Sequence, residues 1–472
     1  MKNPFNYWWV SCCFFILAIS AYSTNANAQI ITDYAGYDTV YYGYAGDGGP
    51  ATGACFDGIT CIRTDKKGNL YMVDQYNFCI RKVSTDGIIT TVAGNGNYGH
   101  YGDSVPATNA YIIPYSIAVD TAGNLFIGEW DYYDGTTYFD SPSTWYVSPC
   151  WIRKVDTAGF ITTITGIHDT TSRYTGEGGP ASAAILQSVG DVVPDNNGNL
   201  FVVDGYAGTI YKINKAGIIT TIAGVNNNFG YSGDAGPATA ALINNPTSLL
   251  PDGNGNLYIA DNGNNNVRKL NDSGIITTFA GSGYFFGDGN PATVATLNDP
   301  LELTIDPAGN IYIADNNDNV ARVVTTDGII HTFAGNFFTG NSGDGGPAKE
   351  ATFISPKGIA ADYNGNVYIS DYNNSRVRKV APLATAGVKT EETALAINIW
   401  PEPNNGKFTV KLNTTSNEIV KIMITNILGQ KIQQVTSTTN CEIMIQMSAP
   451  PGIYFLAAVT ANGILTRKIV VE

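Results

Sequence analysis

GDAGPATAALINNPTSLLPDGNGNLYIADNGNNNVRKLNDSGIITTFAG, residues 233–281, holds four short apolar runs set apart by turns rich in glycine and asparagine. PTSLLPD, GNLYIAD, NNNVRKL and GIITTFAG each alternate apolar with polar side chains or favour β-branched ones, which suits strands half-buried in a sheet. The Gly-Asn and Asp-Gly signals between them fit hairpin turns. The stretch therefore predicts one four-stranded antiparallel sheet.

The same order of signals recurs six times. Its anchors are GDGGPAT (46–52), GDSVPAT (102–108), GEGGPAS (176–182), GDAGPAT (233–239), GDGNPAT (287–293) and GDGGPAK (343–349). Each anchor leads to a run closed by an aspartate: Asp65, Asp120, Asp195, Asp252, Asp306 and Asp362. GNLYMVD, GNLFIGE, GNLFVVD, GNLYIAD, GNIYIAD and GNVYISD follow, then a third run such as IRKV or VRKL, then GIITTVAG and its variants. The sixth repeat runs from Val380 into Ala381-Pro382-Leu383 without a fourth strand, whereas the QIITDYAG of residues 29–36 has that strand's pattern. Borrowing it closes a ring and removes two open sheet edges. The expected fold is all-β: a six-bladed β-propeller over 29–380, its last blade completed by the N-terminal strand.

These motifs resemble the NHL repeat family over residues 29–380. The resemblance implies a propeller that serves more often as a binding scaffold than as an enzyme. A few relatives are lyases that use metal-binding histidines, and others bind RNA through a basic face.

The ends of the chain point to export. Lys2, the apolar run from Trp8 to Ile19 and the small-residue site Ala26-Asn27-Ala28 read as a signal peptide over 1–28, cleaved near Ala28. The run is too short for a comfortable membrane span. Residues 381–396 read as a linker. Beyond it, 397–472 shows about seven short alternating segments with turns at Asn405-Gly406 and Asn462-Gly463, a small β-sandwich. Its Pro401-Glu402-Pro403, Asn-x-x-Gly-Gln, Gly452-Ile453-Tyr454 and terminal Lys-Ile-Val resemble the C-terminal sorting domain of type IX secretion cargo in Bacteroidetes, with Glu402 where that family usually has asparagine. The resemblance implies the type IX machinery as a partner and a secreted or outer-membrane-surface location.

Composition narrows the partners. Twenty-six Lys and Arg against 40 Asp and Glu give a formal charge of −14, and −15 without Lys2. Such a chain repels nucleic acid and anionic membrane surfaces. The mature cysteines are Cys55, Cys61, Cys79, Cys150 and Cys441. Cys55 and Cys61 are close enough to bridge a loop, but buried free thiols fit equally well, so their pairing stays open.

Candidate chemistry divides into what repeats and what does not. Asp74, Glu129, Asp204, Asp261, Asp315 and Asp371 end the second strands, and their sixfold recurrence suits turn caps or partners of the following arginine better than a metal ring. The loop acids Asp47, Asp103, Glu177, Asp234, Asp288 and Asp344 lack the alternating oxygens of a dedicated calcium loop. No cofactor is therefore expected, calcium being the one candidate. His331 replaces a strand threonine and reads as a tolerated surface residue.

The repeat breaks at its second unit. Elsewhere seven residues separate the strand-two acid from the arginine position, as in Asp74 to Arg81; from Glu129 to Arg153 there are 24. The insertion carries Trp130, Asp131, Tyr132, Tyr133, Asp134, Tyr138, Trp145 and Tyr146, and blade geometry sends it to the same face as His100 and His168. Aromatic rings with carboxylates suit sugars or a protein hot spot, and a loop packed on itself is the plainer reading. The expected function is a surface binding protein presenting this face to a protein or glycan. The alternatives are a metal-dependent lyase- or lactonase-like enzyme and a structural or adhesive surface protein.

Overall fold

The computed structural model describes residues 29–37, 43–130, 150–166, 176–195, 197–281, 283, 287–382, 396–401, 403–413, 419–426, 430–460 and 463–471. Two compact units divide between Thr385 and Ala386.

The first unit is built from the sixfold grammar. Each aspartate that closes a first strand makes the hairpin into the second: Asp65 Oδ1 accepts from the Lys67 and Asn69 amides, and its Oδ2 accepts from Asn69 Nδ2 at 2.6 Å. Asp120, Asp195, Asp252, Asp306 and Asp362 repeat the arrangement with Asn124, Asn199, Asn256, Asn310 and Asn366. An aspartate four residues before an asparagine thus supplies the donors and acceptors that the turn backbone lacks. Gly68, at φ +85°, takes the left-handed position in the first of these turns.

Among the described residues these hairpins make six antiparallel sheets of four or five strands. Sheet 4, from the opening stretch, runs Pro246–Pro251, Leu257–Asp261, Asn266–Leu270 and Ile275–Gly281, with Gly236–Pro237 added outside. Sheet 6 holds Pro356–Ala361, Val367–Asp371 and Arg376–Val380, and takes its fourth strand, Ile31–Ala35, from the N-terminal segment. Ile31 stands opposite Val380 and Asp33 opposite Arg378, antiparallel. The fourth strand bulges beside the arginine position in sheets 1, 2, 4, 5 and 6, which adds local twist.

The first strands of the six sheets are Ile59–Thr64, Pro114–Val119, Val189–Pro194, Pro246–Pro251, Pro300–Ile305 and Pro356–Ala361. Each packs against the one before and after, and the last returns to the first. They therefore enclose an axis in a propeller-like arrangement. Apolar residues from neighbouring sheets fill the space between; one such cluster joins Val192, Val202, Ile210, Ile219, Leu249 and Ile259.

The second unit is a pair of antiparallel sheets. Ala396–Trp400, Lys407–Asn413 and Glu442–Gln446 form one; Lys431–Thr438, Ile419–Asn426, Gly452–Thr460 and Gly463–Val471 form the other. Strict alternation puts Phe408, Val410, Leu412, Val420, Ile422, Ile424 and Leu456 into a core of its own. All five described cysteines are free thiols, so Cys55 and Cys61 do not bridge.

Candidate functional site

The six acids that end the second strands are wholly buried. In sheet 4, Arg268 lies between Asp261 (3.4 Å) and the loop residue Asp234 (2.5 Å), and Asp234 also accepts from the Thr278 amide at the strand bulge. Tyr231 covers the guanidinium, 4.9 Å from its ring centre. Asn264 Nδ2 then ties Asp261 to the Gly230 carbonyl. The same arginine-between-acids network recurs at Asp74–Arg81–Asp47, Glu129–Arg153–Asp103 and Asp315–Arg322–Asp288. Sheet 6 uses two arginines where sheets 1, 2, 4 and 5 use one, with Arg376 on Asp371 and Arg378 on Asp344. Burial pushes Asp74 and Asp261 up to about 6 against the pull of their arginines. Sheet 3 has Tyr211 where the arginine stands elsewhere. There Asp204 accepts from the Gln187, Ser188 and Ala207 amides, and burial lifts its carboxyl to about 7. These groups brace each sheet, and their loop acids are already occupied.

Of the residues singled out at the second repeat, the structure describes Trp130 and His100. Asp131, Tyr132, Tyr133, Asp134, Tyr138, Trp145, Tyr146 and His168 lie outside the described residues. His100 Nδ1 is 2.7 Å from Glu129 Oε2, and its ring stacks on Trp151 at 4.1 Å. In the repeat it takes the place of Tyr231 of sheet 4, and it lies beside both Arg153 and the buried strand-end acid. Trp130 is the next residue along, so its side chain leaves the opposite side of the strand. Its ring meets Tyr115 at 5.1 Å and Tyr206 at 5.2 Å, both edge-on. His100 and Trp130 thus belong to two separate clusters.

A second group sits on the axis. The third residue of each first strand is Cys61, Ser116, Asp191, Ser248, Glu302 and Gly358 in turn. Arg63, from sheet 1, binds Asp191 of sheet 3 at 2.9 Å and Glu302 of sheet 5. Asp191 also accepts from Ser248 Oγ and the Leu249 amide; Glu302 accepts from the Ile359 amide at 2.7 Å and from Cys61 Sγ at 2.9 Å. Burial raises the Asp191 carboxyl, opposed by Arg63, and pushes the Cys61 thiol up to about 11. The position-by-position variation at this third place was the available signal. It looks like noise in a repeat until the ring brings the six strands together.

Above this floor lies a small cavity of about 40 Å³, lined among others by Thr60, Tyr115, Ser116, Asp191, Thr247, Glu302 and Lys357. Lys357 Nζ lies 3.5 Å from the centre of the Tyr372 ring, and the Tyr372 hydroxyl donates to Tyr76 at 3.4 Å. Tyr115 joins the cavity to Trp130 and Tyr206. Tyr76 and Tyr206 remain 43% and 50% exposed. Among the described residues no three His, Cys, Asp or Glu side chains gather as a metal-holding group.

Two family matches fall on these units. Residues 353–380, within sheet 6 and its approach, match the NHL repeat, and residues 398–472 match the secretion system C-terminal sorting domain. The chain carries an NHL repeat and a type IX sorting domain. Among curated proteins it is similar to human Teneurin-1, 27% identical over 335 residues, which is 62% of this chain but 12% of the relative. Among solved structures it is similar to a protein of unknown function from Bacteroides thetaiotaomicron (TM-score 0.51, 21% identity, 75% of this chain and 76% of that one). An auxiliary nutrient binding protein from the same organism is comparable (TM-score 0.51, 19% identity, 75% and 76%). At these identities the likeness is one of fold. The NHL-repeat unit is accordingly propeller-like, and the sorting domain implies export. No helix among the described residues is long and apolar enough to cross a membrane.

Proposed function

We propose that this chain is a secreted or surface-held binding protein. In this reading residues 1–28 are removed on export, a six-bladed NHL propeller spans 29–380, and 397–472 engages the type IX machinery. The propeller presents one working face, where the loops between second and third strands surround the axis. The observation that carries the reading is Trp130. It ends the strand that enters the 131–149 insertion, and its ring joins Tyr115 at the axial cavity to the half-exposed Tyr206. The last described residue before the break and the mouth of the axis thereby share one aromatic cluster. Aromatic rings that bury area at low entropic cost are what a binding face uses. The axial carboxylates are committed to Arg63 and to backbone amides, which supports a seat for a ligand over a hydrolytic centre. The nutrient-binding description of one neighbour of the same fold agrees with this reading without deciding it.

The test is a glycan-array and cell-surface-protein binding screen on the full mature chain, repeated with Trp130→Ala and with 131–149 replaced by a short turn. Specific binding that both changes weaken supports the proposal. No binding in either screen, or binding that both changes leave intact, overturns it.

A further inference from the structure

We infer that the axial mouth is a seat for a neutral saccharide, held by the Lys357 ammonium and the Ser116 hydroxyl below and by tyrosine faces around it. This rests on the reading of the chain as a binding protein and adds the site and the ligand class.

Three observations converge. Ser116 is among the residues lining the cavity and is 2% exposed, and its buried Oγ has no hydrogen-bond partner among the described residues. A buried hydroxyl left unmade is unfavourable in a native protein, and its neighbours Asp191, Ser248 and Glu302 are all engaged elsewhere. Lys357 also lines this cavity, its Nζ resting on the Tyr372 ring with no carboxylate in ion-pair range among the described residues. Among the described residues no acceptor takes its three donors. Tyr115 lines the cavity beside these two donors, Trp130 and Tyr206 continue its aromatic surface outward, and Tyr372, which carries Lys357, is bonded to Tyr76.

Charge selects the ligand. Arg63 faces both Asp191 and Glu302, so the floor is net negative by one, and Asp299 adds a further carboxylate near Lys357. An anionic ligand meets those acids, while a cationic one meets Lys357 beside them. A neutral polyhydroxylated ring satisfies both constraints. Its hydroxyl oxygens accept from Lys357 and Ser116, and its C–H face packs on tyrosine. The cavity admits one hydroxyl-bearing edge, with the rest of the sugar lying on the exposed rings.

Isothermal titration of the full mature chain with neutral gluco-, manno- and galacto-configured trisaccharides, with trigalacturonate as the anionic control, tests this. The expected result is saturable binding of at least one neutral trisaccharide and none of trigalacturonate. Tyr206→Ala and Lys357→Met should each weaken binding by roughly tenfold. Tyr206 is half exposed, so its variant keeps the fold, and unchanged thermal unfolding verifies this. Neutral binding that both variants leave unchanged overturns the seat, while loss on replacing 131–149 still upholds the binding-protein reading. Preference for trigalacturonate overturns the ligand class. Protein capture by the 131–149 face with no saccharide binding overturns the inference alone, and absence of both overturns the two together.

Discussion

Arg63 reaches Asp191 at 2.9 Å although 128 residues separate them, and the contact joins sheet 1 to sheet 3 across the axis. With Glu302 of sheet 5 on the same guanidinium, alternate sheets are braced at the centre. Asp191 and Glu302 are 2% and 6% exposed, so neither has water to fall back on. Arg63→Met leaves two buried carboxylates without a counter-charge, which costs about 3–5 kcal/mol. Urea unfolding at pH 7.5 should show that loss, and part of it should return at pH 5 as the carboxyls take up protons. A variant as stable as the parent at both pH values would mean that the contact does not brace the axis.

The contrast between Asp261 and Glu302 shows what the sequence discloses. Asp261 belongs to a pattern repeated six times, and its pairing with Arg268 follows from a fixed local spacing. The turn aspartates, the hairpins and the loan of 29–36 to the last sheet are legible for the same reason: each depends on near neighbours or on a gap in a regular series. Full burial of the repeated acids is less legible, because it arises from stacking one sheet on the next. Glu302 is invisible to such reasoning. It departs from its repeat at one position, and its partners Arg63 and Ile359 come from other sheets. At the second repeat the sequence pointed to His100 and Trp130 together. In the structure His100 joins Glu129, while Trp130, the next residue, leaves the other side of the same strand toward Tyr115 and Tyr206.

Asp204 gives the NHL-repeat unit a stability that depends on pH. Its carboxyl rises from 3.8 to about 7, driven by burial and only partly opposed by three backbone amides. The folded state therefore holds a proton that the unfolded chain releases between those values. Linkage then makes stability highest at the acid end of this window and lower as pH rises through 7, with no further change from this group above it. Asp204→Asn, neutral throughout, should flatten the slope of Tm between pH 5 and 7.5. A slope identical to the parent's means that other carboxyls carry the dependence.

Lys357 shows the opposite sign. Burial lowers its ammonium from 10.5 to about 8, and Asp299 only partly offsets this. The folded state binds fewer protons than the unfolded one between pH 8 and 10.5, so this group's contribution to stability grows as pH rises across that range. Competitive acetylation followed by peptide mass spectrometry should find Lys357 titrating near 8 while surface lysines titrate near about 10.4. A midpoint shared with the surface lysines shows that the amine is well hydrated and that the cavity is open to bulk water.

Val380 marks where the chain can be cut without harming the propeller-like unit. It pairs with Ile31 in sheet 6, and no described strand of that unit lies beyond it. The core of the sorting domain is self-contained, built from Phe408, Val410, Ile422, Ile424 and Leu456. A stop after Val380 therefore removes the secretion signal while leaving both strands of the closing pair in place. In a host with type IX machinery, the truncated chain should fold with an unchanged thermal transition, yet accumulate in the periplasm while the full chain reaches the surface or medium. Cell fractionation with a protease-accessibility assay reads the difference. Because folding and export are measured separately, loss of export in a folded protein assigns the signal to 398–472, whereas normal export of the truncated chain refutes that assignment.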